Sequence, residues 1–461
     1  MNTSPDRALE SIWQSAALPT EALARAALHG ADPALPSSFA VGCAAQVSLA
    51  AAALAASEIG RLRNGLAQTV SVEMRHAALE CCTHYTLNGR TPQLWDKLAG
   101  LYRCADGWVR LHTNFAHHRD GVLRLLGLPE SDATPRENVA AALRDWKALS
   151  FETAASDAGL VVAALRRFDE WDAHPQRAAL AAQPLVAIER LGDAAPLAWP
   201  ALAETQRPLA GLRVLDLTRI LAGPAGTRAL AGYGAEVLMV NGPHLPNIDA
   251  IVDLSRGKRS ALADLRDADG RTALFAALRD AHVFVQGYRP GALAALGLDP
   301  ITLARERPGI VLASLSAYGD VGPWGGKRGF DSLVQTATGF NVAEAEAAGS
   351  AEPRALPMQI LDMASGYLLA FGAQAALLRQ RSEGGSWHVK VSLARTAQWL
   401  RELGRVENGL AAPAAAFDGL LERYPCAWGE LLSTRHAAQF SHTPAAWPRP
   451  SAPPGTDALA W

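Results

Sequence analysis

The sequence is poor in cysteine, nearly balanced in charge and without an apolar start. Its five cysteines are Cys43, Cys81, Cys82, Cys104 and Cys426. They form no zinc or iron–sulfur pattern, and no His or Asp spacing suggests a metal site, so no resident metal or cofactor is expected. The odd count and a polar stretch from Met1 to Pro19, lacking the apolar core of a secretory signal, predict reduced thiols in a cytoplasmic protein. A formal net charge of −2 removes any global pull toward nucleic acid or an anionic membrane. An anionic ligand would have to be held by a local group of cations. The apolar stretch Ala44 to Ala56 is only about a dozen residues, too short to span a bilayer, and reads as a buried helix.

What is present describes a large globular chain. Of 461 residues, 49% are hydrophobic and 19% charged, enough for two or more domains with sizeable cores. From residue 209 onward, strand-like runs alternate with helical ones. Val214–Leu217, Ala235–Val240, Ser260–Leu265 and His282–Gln286 read as strands, with helices at Pro224–Tyr233 and 268–280. Such alternation predicts a parallel sheet covered on both faces. Before it, residues 83–190 carry the Asp106-Gly107 turn followed by alternating residues, a hairpin signal of a smaller α/β domain. The Ala- and Pro-rich residues 191–208 read as a linker. Residues 1–82 are mainly helical. The large domain is placed at 209–403 and a proline-rich tail at 404–461.

One pattern occurs twice. An apolar helix, a glycine turn, a short alternating strand and a second helix fill residues 41–82, and again 365–403. Aligning Val70-Ser71-Val72 with Val389-Lys390-Val391 lays Gly65 on Gly384 without a gap. This is a short, degenerate internal repeat.

The chemistry-bearing stretch is Gly329-Phe330-Asp331-Ser332-Leu333-Val334-Gln335. It follows the strand-like Ile310–Ser316 and a glycine-rich loop, and it opens a helix. Asp331 is therefore expected at the helix N-cap, where backbone N–H groups and the positive helix end lower a carboxyl pKa. An ionised carboxylate at the C-terminal edge of a strand is a candidate nucleophile, although an ordinary capping role fits the same position.

Several segments together resemble the family III CoA-transferases, the group that includes formyl-CoA and crotonobetainyl-CoA:carnitine transferases. They are Leu209–Thr218, Leu221–Pro224, Gly234–Val237, Arg256–Ser260, Tyr288–Gly291, Gly322-Pro323 and Gly329–Asp331. The resemblance implies a Rossmann-like parallel-sheet large domain with a smaller α/β domain. It also implies an enzyme that moves CoA from an acyl-CoA donor to a carboxylic acid acceptor, with CoA as substrate rather than cofactor. By the same resemblance Asp331 is the catalytic nucleophile, forming a mixed anhydride and then an aspartyl-CoA thioester. Arg256, Lys258 and Arg259 are expected at the adenine and phosphate end of CoA, with Arg289 as a further contact. Gly223 and Pro224 shape the first strand-to-helix turn beside the ligand, and Gln335 orients the Asp331 loop. Asn241 and Gly287 stand where relatives usually carry an acidic residue and an asparagine.

Two other readings share this fold. An acyl-CoA racemase would need a histidine where Phe330 stands, although Asp362 lies in the region of its other acid–base partner. A non-catalytic acyl-CoA-binding relative would need no nucleophile. The small domain precedes the nucleotide-binding half, so the chain reads as a fusion or permutation of two family copies, the first lacking its Asp-bearing half. A pseudo-dimeric protomer is expected, with a homodimer as the competing outcome.

Overall fold

A computed structural model of the protein describes residues 3–461. In chain order, strand β1 (Ala26–His29) is followed by helix α1 (Val41–Asn64), strand β2 (Val70–Glu73) and helix α2 (Met74–Glu80). The smaller domain contributes β3 (Gly100–Arg103), β4 (Trp108–Leu111), α3 (Ala116–Leu125), α4 (Ala148–Asp157) and β5 (Val162–Ala164). The large sheet and its helices follow as β6 (Ala187–Gly192), β7 (Arg213–Leu217), α5 (Ala222–Gly232), β8 (Glu236–Asn241), β9 (Lys258–Leu262), α6 (Ala268–Leu278), β10 (Val283–Gln286), α7 (Pro300–Glu306) and β11 (Val311–Ser316). Then come α8 (Asp331–Ala337), α9 (Ile360–Glu383), β12 (Ser386–Ser392), α10 (Leu393–Glu402) and β13 (Ala438–Phe440).

The large sheet has seven strands in the order β9-β8-β7-β10-β11-β12-β6. All neighbours run parallel except the edge pair β12–β6. From β7 the chain winds one way through β8 and β9. It then returns to build β10, β11 and β12 on the other side. The strand order therefore reverses between β7 and β10, and a crevice opens beyond their carboxyl ends, the usual ligand position in such sheets. Residues 187–192, expected at the end of the smaller domain and the start of the linker, instead form β6 and close this sheet antiparallel to β12.

Helices α1 and α9 are apolar on every side, which suits them to burial rather than to a surface. Each is long and apolar enough to cross a membrane by length and composition, and each is buried inside the protein. They pack on one another, and α9 packs on α5 as well. The α5–α9 crossing depends on glycine: a Cβ on Gly226 would lie 2.3 Å from the Gly366 carbonyl oxygen, and one on Gly366 would lie 2.2 Å from that of Ala222. The two backbones thus approach more closely than any side chain permits.

The internal repeat is visible as structure. Helix α1, the left-handed Gly65, β2 and α2 run in the same order as α9, Gly384, β12 and α10. The ungapped alignment lines up both the starts and the ends of the two long helices. The chain after residue 404 is part of the same core. Strand β13 pairs antiparallel with β2, whose other edge pairs with β1. The smaller domain has its own core around Val109, Leu111, Leu123, Leu143, Phe151 and Val162, and its antiparallel sheet β3-β4-β5 packs against α8.

Candidate active site

Two carboxylates meet where α8 and α9 begin. Asp331 is the first residue of α8, and Phe330, in extended conformation, is the cap residue. The Asp331 side chain bridges its own helix and the start of α9. One oxygen accepts the backbone N–H of Asp362 at 2.8 Å, and the other accepts the Gln335 side-chain amide at 2.5 Å. The N–H of Leu361 also points to it. The cap residue of α9, Gln359, makes no side-chain cap. Asp331 therefore satisfies two of the orphan N–H groups in the first turn of α9 from a separate helix. Gln335 is held in turn by Leu356, whose N–H donates to its side-chain oxygen at 3.0 Å.

This geometry corrects two expectations. Asp331 caps α9 rather than α8, and its pKa moves up, not down. Burial pushes it up to about 6, outweighing the hydrogen bonds that pull it down. Asp362 is held well above the ordinary carboxylate range by burial and by the charge of Asp331. Two carboxylates this close share one charge at acid and near-neutral pH. Asp331, with its three donors, is where that charge rests.

The two differ in access. Asp331 is 0% exposed, whereas Asp362 is 7% exposed and lines a cleft of about 510 Å³. Among the described residues no side chain or N–H donates to the Asp362 carboxylate, so its oxygens are free to meet a ligand. The cleft opens at the reversal point of the sheet. Its walls include the loop from Thr218 to Gly223 after β7, Gly287 to Pro290 after β10, Ser316 and Ala317 after β11, and Lys327 to Phe330. The smaller domain closes the opposite side with Phe115, His117, His118 and Val161.

The residues expected to bind ligand divide sharply. Gly223 and Arg289 line the cleft. A Cβ on Gly223 would lie 2.4 Å from the Thr218 side chain, so only glycine lets this turn close. Pro224 sits one residue deeper, and its carbonyl accepts from Lys258 at 3.0 Å. Lys258 itself is 1% exposed. Its ammonium lies among Asp216 at 3.2 Å, Thr227 at 2.6 Å and that carbonyl. Arg256 is also 1% exposed, paired with Asp253 at 2.8 Å and lying 4.0 and 4.5 Å from the ring centroids of Tyr424 and Trp447. Arg259 is half-buried on the edge strand β9. None of the three lines the cleft. The expected phosphate cluster is thus not brought to the cleft: Arg256 is paired inside the core with Asp253, three residues before it, and Lys258 with Asp216, far away in sequence.

The cations that do line the cleft are Arg219, Arg289, Lys327 and Arg328. Arg219 follows β7 directly, and Lys327-Arg328 immediately precede Gly329-Phe330-Asp331, so their positions in sequence were a usable signal. Lys327 pairs with Glu152 at 2.9 Å and lies 3.8 Å from the Trp324 ring centroid. Arg289 is exposed and makes no ion pair among the described residues.

The model of CoA-transferase family III matches residues 23–198 and 209–416. The chain belongs to CoA-transferase family III. It is 31% identical over 317 residues to an acyl-CoA transferase of Gibberella moniliformis, covering 64% of this chain and 55% of that protein. It is 32% identical over 209 residues to a probable fatty acyl-CoA transferase of Mycobacterium tuberculosis, covering 42% of this chain and 52% of that one. The chain thus spans about half the length of the curated relatives it matches. A crystal structure of the same mycobacterial protein overlaps with a TM-score of 0.40 at 32% identity, covering 43% of this chain and 58% of that one.

Both halves of the repeat fall inside the two matched family segments. The alignment that lays Gly65 on Gly384 also lays Cys43 on Asp362. The likeness extends to the caps: Asp32 accepts the N–H groups of Gly42 at 3.1 Å and Cys43 at 2.9 Å, as Asp331 does for Leu361 and Asp362. In the first copy a buried thiol replaces the cleft carboxylate. Burial and the charges of Asp32 and Asp6 push that thiol up to about 12, so it stays protonated and unreactive.

Proposed function

We propose that this family III protein transfers CoA from an acyl-CoA to a carboxylic acid through a covalent intermediate on Asp362. The observation that supports this reading is the division of labour between the two carboxylates. Asp362 presents its oxygens to the cleft, while Asp331, closed off from it, holds the backbone of residue 362 by a 2.8 Å hydrogen bond.

Asp362 reacts in its ionised form, after its proton has passed to solvent, and one of its oxygens attacks the thioester carbonyl. A C–O bond forms, the C–S bond breaks, CoA leaves as thiolate, and a mixed anhydride remains. The thiolate then attacks the aspartyl carbonyl and releases the donor acid as carboxylate. The acceptor carboxylate repeats these two steps in reverse order and departs as its thioester. Charge balances throughout, and no net proton is taken up. Splitting one transfer into such steps is covalent catalysis. Arg219, Arg289 and Arg328 supply the local positive charge that the CoA phosphates require.

A racemase mechanism finds less support. The residue before Asp331 is Phe330, whose ring stacks on His112 at 3.9 Å and has no proton to exchange. We further propose that one chain supplies both halves of the helical core, with α1 and α9 in the places of two copies.

Incubation with acetyl-CoA and hydroxylamine, followed by peptide mass analysis, tests the reading. Modification of the peptide bearing Asp362 is expected. Modification at another carboxylate, or none with any of a panel of acyl-CoA donors, would overturn it.

A further inference from the structure

One cleft residue is buried without partners. His118, on α3 of the smaller domain, is 5% exposed and lines the cleft that holds Asp362. Among the described residues neither of its ring nitrogens has a hydrogen-bond partner. Buried polar side chains nearly always find one, because leaving a donor or acceptor dry is costly. The packing around the ring is apolar and aromatic. Phe115 lies at 5.8 Å and Phe330 at 6.5 Å, both edge-on, and His117 lies at 4.1 Å. Phe330 precedes Asp331, so His118 reaches the cleft from the domain opposite the carboxylate pair. Burial first, then the positive charge of His117 and Arg328, brings its pKa down to about 3. The ring is therefore neutral at working pH, with one N–H and one lone pair.

We infer that the His118 N–H donates to the acyl oxygen of the bound thioester, holding the carbonyl against Asp362 and stabilising the oxyanion that forms there. The inference rests on the transfer reading above. When an Asp362 oxygen attacks, the carbonyl π pair moves onto the acyl oxygen, and it returns as the C–S bond breaks. His118 keeps its proton and contributes only a preorganised donor in a water-poor site. The same N–H serves the reverse attack on the acceptor's acyl group.

The test is a calorimetric titration of the full chain with two probes: free CoA, and the ketone analogue of acetyl-CoA in which a methylene replaces the sulfur. The ketone presents the acyl oxygen but cannot be transferred. His118→Leu is expected to weaken the ketone by about tenfold or more and to leave CoA within about twofold. His118→Gln, which restores an N–H, should recover part of the difference. His118→Phe, which keeps a ring but has no donor, should repeat the loss seen in His118→Leu, so the result does not hang on how well one variant folds. Equal changes for both probes, or no change for either, overturn the inference. Trapping at Asp362 in the wild type is scored separately. Its absence would remove the transfer reading while the titration still decides whether His118 grips the acyl oxygen.

Discussion

The Asp331 carboxylate accepts the backbone N–H of Asp362 at 2.8 Å, so the more buried acid positions the one that faces the cleft. Substitutions at the two sites should therefore differ in kind. Asp362→Asn should abolish both transfer and the covalent adduct with little change in stability, since its side chain makes no hydrogen bond among the described residues. Asp331→Ala should lower Tm, because it removes a helix cap worth about 0.5–2 kcal/mol, and should slow transfer by displacing Asp362. Thermal denaturation beside a CoA-transfer assay separates them. An Asp362→Asn variant with most of its turnover would sink the assignment.

The pair also sets a pH dependence. Attack requires an ionised Asp362, whose pKa is raised by burial and by Asp331. Adduct formation should fall on the acid side, with its limb above the range of an ordinary carboxylate. Asp331→Asn removes the facing negative charge and should move that limb to lower pH. An unchanged limb would mean that the charges do not interact. The stability effect has the opposite sense to an ordinary ion pair. The folded state holds a proton more tightly than the unfolded chain, so stability declines as pH rises from about 4 toward 6. Unfolding midpoints across that window should show a shallower decline in Asp331→Asn.

Arg256 and Lys258 are predicted to matter for folding rather than for ligand. Removing either leaves Asp253 or Asp216 buried with fewer partners, a loss of about 3–5 kcal/mol for a broken buried pair. Lys258→Met and Arg256→Met should each lower the denaturation midpoint and, where folded, bind CoA close to normally. Arg289→Ala should do the reverse. The contrast is read by measuring Tm and CoA affinity on the same samples. Strong loss of CoA affinity in a fully stable Lys258→Met variant would refute the structural role.

Because Cys43 stands where the repeat would place a second Asp362, each chain should form one covalent adduct. Intact-mass analysis after trapping should show a single addition. Cys43 should resist thiol reagents in the folded protein and react only on unfolding. A second adduct, or fast labelling of Cys43 in the native state, would contradict the plugged first copy.

The sequence by itself determined the parallel sheet and the duplicated helix–strand units, because apolar periodicity and glycine turns are local signals. It also located Asp331 at a loop-to-helix junction. It could not say that residues 187–192 would close the large sheet, since an edge strand is chosen by its neighbour, here β12. It could not separate Asp331 from Asp362 either. Both open helices, and which one sees the cleft depends on how the start of α9 packs over the start of α8. The basic run at 256–259 failed for the same reason. Its partners are Asp216, Asp253, Tyr424 and Trp447, spread over more than half the chain. A charge run shows which residues are cationic, but only the folded chain decides whether carboxylates or solvent surround them. His118 was unreadable in sequence because its unusual property, a buried imidazole without a partner, exists only once two domains close around it.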